Sequence, residues 1–140
     1  MDISAYYSYQ AKARGLNSLD DVMKVVEQNT LMYDKILLPW LPKERGAAIY
    51  EVACGPGIFL HWLCLRGYTN ATGSDSSDVQ ISLATAGGLT VKLVDALEDL
   101  RSYPANSFDC LIGLDFYEHL PKEILLDFLH ESERVLRPGG

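Results

Sequence analysis

Apolar residues recur at three- and four-residue intervals from Val22 through Val25, Val26, Met32, Tyr33, Ile36 and Leu37, and Asn29 is the one polar residue on that face. Such spacing predicts an amphipathic helix with a single buried stripe. Ser18, with Asp21 three residues on, is placed to cap its start, and Pro39 to end it. Pro42 to Gly46 read as a turn. From residue 47 the texture changes to short apolar runs punctuated by glycine. Residues 48–53, 69–74, 89–94 and 108–114 predict buried strands, while 58–66, 78–86 and 123–136 predict helices. The last helix places Leu125, Phe128, Leu129, Ser132, Val135 and Leu136 inward. No element is predicted between residues 95 and 107.

Short apolar strands that alternate with helices pair in parallel through right-handed crossovers. The fold class is therefore α/β, a doubly wound parallel sheet, preceded by a helical segment over residues 1–46. Ligands of such sheets bind outside the carboxyl ends of the strands, where the strand order reverses. Candidate chemistry should stand at those ends.

Composition narrows the partners. The chain has 140 residues, room for one core, and a net charge of −7. No basic stripe is present to neutralise phosphates, which argues against nucleic acid. Met1-Asp2-Ile3-Ser4 does not resemble a signal peptide, and no apolar run nears the ~18–20 residues of a membrane span, so a cytoplasmic location is expected. Cys54, Cys64 and Cys110 are odd in number and lack a CxxC pair. They are expected to be reduced, buried thiols, with no metal site.

Each strand end carries polar or glycine residues. Gly55 and Gly57 after the first strand allow a sharp turn and close approach of a ligand to the main chain. Asp75, eighteen residues after Gly57, suits two hydrogen bonds from ribose hydroxyls or, alternatively, a helix cap. Asp95-Ala96 after the third strand joins an acceptor to a small apolar neighbour, as an adenine requires. Leu114, Asp115, Glu118 and His119 cluster after the fourth. Glycine turn and spaced carboxylate together are far more specific than either alone.

These motifs resemble class I S-adenosylmethionine-dependent methyltransferases, especially those acting on small molecules. The resemblance rests on Glu51, Ala53, Gly55 and Gly57, on Gly73-Ser74-Asp75-Ser76-Ser77, on Val94-Asp95-Ala96-Leu97, and on 108–140, ending in Arg137-Pro138-Gly139-Gly140. Ala53 departs from the pattern, standing where a first glycine is usual. The resemblance covers residues 47–140 and implies a Rossmann-like fold. It implies that Glu51, Ala53, Gly55 and Gly57 surround the methionine part of the cofactor, that Asp75 and Ser76 meet the ribose, and that Asp95 and Ala96 meet the adenine, with Leu114 near the crevice. S-adenosylhomocysteine would be the product. The family's sheet has seven strands, of which four precede Gly140. The fourth is thus expected to present an apolar edge that further chain, a second copy or a partner covers. Residues 1–46 would act as a lid, with Tyr6, Tyr7, Tyr9 and Arg14 as candidates.

Methyl transfer requires mainly that donor and acceptor be held in line. An oxygen or nitrogen acceptor can also need a base. His119 is the first candidate and Asp115 or Glu118 the second, since histidine ordinarily titrates near neutral pH. The acceptor itself is not legible beyond a small molecule. One alternative is a cofactor- or partner-binding module without turnover of its own. Another is a nicotinamide-dependent oxidoreductase, disfavoured because Leu60 occupies the third glycine position of GxGxxG.

Overall fold

A computed structural model describes residues 15–140. Tyr6, Tyr7, Tyr9 and Arg14 lie outside the described residues. The first helix, α1 (Leu19–Ile36), opens as anticipated: Ser18 Oγ accepts from the Asp21 N–H at 3.2 Å, and the Asp21 carboxylate in turn accepts from Ser18 Oγ at 2.8 Å. Val22, Val26 and Tyr33 are buried on its inner stripe, but Met32 and Ile36 are 43% and 57% exposed. A helix covered from one side buries only a narrow stripe, and positions 25, 32 and 36 lie on its flank.

Four strands follow: β1 (Ile49–Val52), β2 (Ala71–Asp75), β3 (Val91–Leu93) and β4 (Cys110–Ile112). They pair in parallel in the order β3-β2-β1-β4, with Ile49 opposite Ala71 on one side and Cys110 on the other. The chain builds outward from β1 to β3 and then returns to the far side of β1. The order therefore reverses between β1 and β4, which fixes a crevice beyond their carboxyl ends. The doubly wound parallel sheet is as the alternation predicts.

Helices α2 (Ile58–Leu65), α3 (Asp78–Ala86) and α4 (Ala96–Ser102) supply the three crossovers, and α5 (Lys122–Val135) follows β4. Helix α4 was not anticipated. It is only seven residues long, too short for a periodicity to declare itself, yet Asp95 caps it through hydrogen bonds from the N–H groups of Leu97 and Glu98. In α5, Phe128 and Val135 are buried, whereas Leu129 is 49% exposed, against expectation. Cys54 is buried and Cys110 half-buried, but Cys64 is exposed on the outer face of α2; all three are free thiols.

All four β1 residues are buried, and they feed two cores. Ile49 joins Val22, Val26, Tyr33, Phe59 and Trp62 on the face covered by α1 and α2. Tyr50 and Val52 join Leu100, Phe108, Phe128 and Val135 on the opposite face. Period-two alternation thus sends Glu51 to the α1 side. The Asp34 carboxylate ties α1 to α2, accepting from Trp62 Nε1 at 3.1 Å and from the Arg66 guanidinium at 2.6 Å. After α5, Leu136 pairs in parallel with Phe108 just ahead of β4, while Cys110–Ile112 pair only with β1 among the described residues.

Candidate active site

The turn after β1 is held by its own backbone and by Asp75. The Cys54 N–H donates to the Ser74 carbonyl at 2.8 Å, continuing the β1–β2 pairing into the loop. Asp75, at the end of β2, accepts from the Gly55 N–H at 2.9 Å through one oxygen and from the Ser77 N–H at 2.8 Å through the other. This carboxylate therefore clamps the β1 turn to the start of α3, whose cap is Ser77. The Ser76 backbone adds a third donor to this carboxylate. Burial raises the Asp75 pKa, opposed by these backbone donors.

Ala53, Gly55 and Gly57 all adopt positive φ, at 50°, 55° and 81°. The two glycines serve different ends. A Cβ on Gly57 would lie 2.2 Å from Leu89 Cδ1, so this residue lets the turn press against the chain entering β3. A Cβ on Gly55 would meet nothing within 4 Å.

Two cavities adjoin this turn and share Ala53, Asp75 and His119 in their walls. The larger, about 400 Å³, lies against Glu51, Gly55, Leu114, Asp115 and Glu118, and Asn29 and Tyr33 reach it from α1. The smaller, about 80 Å³, is walled by Ser76, Asp95, Ala96, Leu97 and Phe116. Gly57 lines neither; every other anticipated site residue lines one or both.

Glu51 is the most unusual group here. It is 3% exposed, and its Oε2 has no hydrogen-bond partner among the described residues. Burial, and then the neighbouring Asp75, push its pKa well above the usual carboxylate range. A buried carboxyl oxygen without a donor is costly, so such a group calls for a specific explanation such as a bound partner. The Tyr33 hydroxyl accepts from Asn29 Nδ2 at 3.3 Å, and its pKa is raised by burial, with Glu51 and Asp115 adding to the effect. Asp115 is exposed with φ +51°, and Glu118 and His119 follow in a 3₁₀ turn with His119 Nε2 3.9 Å from Glu118 Oε1.

The sequence reading missed Asn29 and Tyr33 as cavity residues. The signal was present: one amide interrupts an otherwise apolar helical stripe, and buried polar side chains seek partners or a solvent-filled cavity.

A doubly wound sheet whose reversal crevice carries a glycine turn, spaced carboxylates and an unsatisfied acid defines a nucleotide-cofactor domain. Residues 49–140 match the family described as methyltransferase domain, and the chain belongs to the class I S-adenosylmethionine-dependent methyltransferases. A ubiquinone biosynthesis O-methyltransferase of Xanthomonas oryzae pv. oryzae is 27% identical over 100 residues, covering 68% of this chain and 41% of its own. Sterol 24-C-methyltransferase erg-4 of Neurospora crassa is 31% identical over 103 residues, covering 69% and 27%. A methyltransferase structure from Archaeoglobus fulgidus superposes with a TM-score of 0.72 at 24% identity over 94% of this chain and 53% of its own. The chain thus spans less than half the length of these curated relatives. S-adenosylmethionine is the family's cofactor. Among the described residues no helix is long and apolar enough to cross a membrane.

Proposed function

We propose that this chain binds S-adenosylmethionine across the two adjoining cavities and forms the donor side of methyl transfer to a small molecule. The observation that carries the reading is the buried, unpartnered Glu51 Oε2 in the crevice wall, an acceptor that the cofactor's ammonium group would satisfy. Asp75 would take the ribose hydroxyls, with Ser76 alongside. Asp95 and Ala96 would receive the adenine, with Leu97 and Phe116 as apolar walls. Ala53, Gly55 and Leu114 would bound the methionine part. Gly57 would act from behind, by shaping the turn.

Bound S-adenosylmethionine supplies an electrophilic methyl group on a sulfonium. The protein's share is to position the acceptor beside it and, for an oxygen or nitrogen acceptor, to receive a proton. His119 is the residue we assign to that transfer, assisted by Glu118, with Asp115 at the same rim. Residues 1–46 would cover the site, and Asn29 and Tyr33 give that role a footing in α1.

Calorimetry with S-adenosylhomocysteine tests the cofactor reading directly. Glu51→Gln and Asp75→Asn should each weaken binding about tenfold or more, ~1.4 kcal/mol. Unchanged affinity in both would overturn the assignment. A methyl-transfer assay comparing His119→Ala and the parent over pH 6–9 tests the base; identical profiles would remove it.

A further inference from the structure

Asn29 and Tyr33 stand one helical turn apart on the inner stripe of α1, and both line the larger cavity but not the smaller. The Tyr33 ring is held in place. It is 7% exposed, with Phe59 edge-on at 5.3 Å and Trp62 at 5.4 Å between ring centres. Phe59 belongs to the first turn of α2, directly after the Gly55–Gly57 turn, and lines the same cavity. The Tyr33 hydroxyl is thereby kept on the side of the crevice that Asp95 and Ala96 do not reach.

Counting hydrogens gives this pair its chemistry. A phenolic hydroxyl has one hydrogen to give. Its oxygen here accepts from Asn29 Nδ2 at 3.3 Å, so the hydrogen is turned elsewhere, and among the described residues no acceptor receives it. The Asn29 amide keeps a second N–H of its own. Burial raises the hydroxyl's pKa against the bond from Asn29, and Glu51 and Asp115 add to the rise, so the group remains a donor through the neutral range. Donors set in a buried wall are costly until something accepts from them.

A carboxylate suits such a pair, since it draws charge-assisted bonds from neutral donors. The cofactor carries its carboxylate on the same carbon as its ammonium. Seating the ammonium at Glu51 brings the carboxylate against the adjoining wall, where it needs donors to offset that acid. Resting on the reading of this crevice as an S-adenosylmethionine site, we propose that Tyr33 and Asn29 hold the cofactor's carboxylate, Tyr33 through its hydroxyl hydrogen and Asn29 through its second amide N–H. Helix α1 then reads the amino-acid end of the ligand as well as covering it. Asp34, next to Tyr33, ties α1 to Trp62 and Arg66 of the α2 end, which sets the donor pair in place before a ligand arrives.

The test removes the carboxylate from the ligand and the donors from the protein. S-adenosylhomocysteine and its decarboxylated analogue, in which a hydrogen replaces the carboxylate, are titrated calorimetrically into the full chain and into Tyr33→Phe and Asn29→Ala. The two ligands share the thioether, ribose, adenine and ammonium. The parent should prefer S-adenosylhomocysteine about tenfold or more. In Tyr33→Phe, which keeps the ring against Phe59 and Trp62, the preference should fall at least severalfold because S-adenosylhomocysteine weakens while the analogue does not. Asn29→Ala should move it the same way, with folding of both variants checked by thermal melting. Equal binding of the two ligands by the parent overturns the proposal. So does a preference undiminished in folded Tyr33→Phe, or parallel weakening of both ligands, as a merely structural role would give. Failure of S-adenosylhomocysteine to bind the parent strikes the cofactor reading beneath, and this assignment falls with it, so the two failures are told apart.

Discussion

At the residue scale the site is a set of local costs. Glu51 shows this most clearly. Its pKa is raised by burial and then by Asp75, so the folded chain holds the proton to higher pH than the unfolded chain does. A raised carboxyl pKa means that folding is favoured below the unfolded value, about 4.3, and loses that contribution as pH climbs through the folded one. Glu51→Gln removes the titration. The variant should melt higher than the parent at pH 7–8, with the difference vanishing near pH 4, while binding S-adenosylhomocysteine more weakly. Scanning fluorimetry across pH, with and without ligand, reads both effects; a variant that melts lower at pH 8 would refute the account.

The turn residues give a second residue-scale prediction. Gly57→Ala meets both a positive φ and the 2.2 Å approach to Leu89 Cδ1. It should cost about 1–3 kcal/mol, mostly from left-handed strain, because the Leu89 side-chain tip has to give way. Gly55→Ala faces open space, so it should cost only about 1 kcal/mol yet obstruct the cavity it lines. Ala53→Gly should do the reverse, relieving strain at φ +50° for a net gain of about 0.5–1 kcal/mol. Chemical denaturation paired with ligand titration separates the three. The sequence marked Ala53 as a departure from a glycine pattern, but not that its backbone would nevertheless be left-handed.

At the element scale, legibility followed length and periodicity. Helix α3 was read with its bounds correct, and the strands were found but drawn too long, with β2 also ended one residue early, because residues flanking a strand look like strand whether or not they pair. The missed α4 is a crossover whose seven residues offer less than two turns. What holds it is tertiary. Asp99, 4% exposed, accepts from the Tyr50 hydroxyl of β1 and from Lys92 Nζ of β3 at 3.0 Å. Lys92 also lies 4.3 Å from the Tyr103 ring centre. These partners are dispersed across the chain, so no window of sequence reveals them. Asp99→Ala should cost about 2–4 kcal/mol, since it strands a buried hydroxyl and loosens a partly buried ion pair. Because Asp95 and Ala96 stand at the head of this helix, ligand affinity should fall with it. Asp99→Asn, which keeps an acceptor for Tyr50, should cost less. Equal losses for the two variants would mean that the Tyr50 bond contributes nothing.

At the scale of the whole molecule, the crevice is assembled from loops that follow four different strands, with α1 closing one side. The strand order made that convergence foreseeable, whereas the contribution of α1 required knowing which flank of its stripe would face the cavity. A ligand that spans the crevice binds only when all of these loops are in register, so it should stabilise the chain as a unit. Occupancy at a hundred times Kd adds about 2.7 kcal/mol. For a domain of this size that raises the melting temperature by roughly 5–10 °C. S-adenosylhomocysteine should produce this shift and NADH should not, because Leu60 is fully buried where a nicotinamide-binding turn would carry its third glycine. Hydrogen exchange should slow at the turns around Gly55, Ser76, Asp95 and Glu118 together, and also at the end of α1 around Asn29 and Tyr33. Protection confined to the β1 turn would show that the cavities act separately, and a shift with NADH alone would reverse the cofactor assignment.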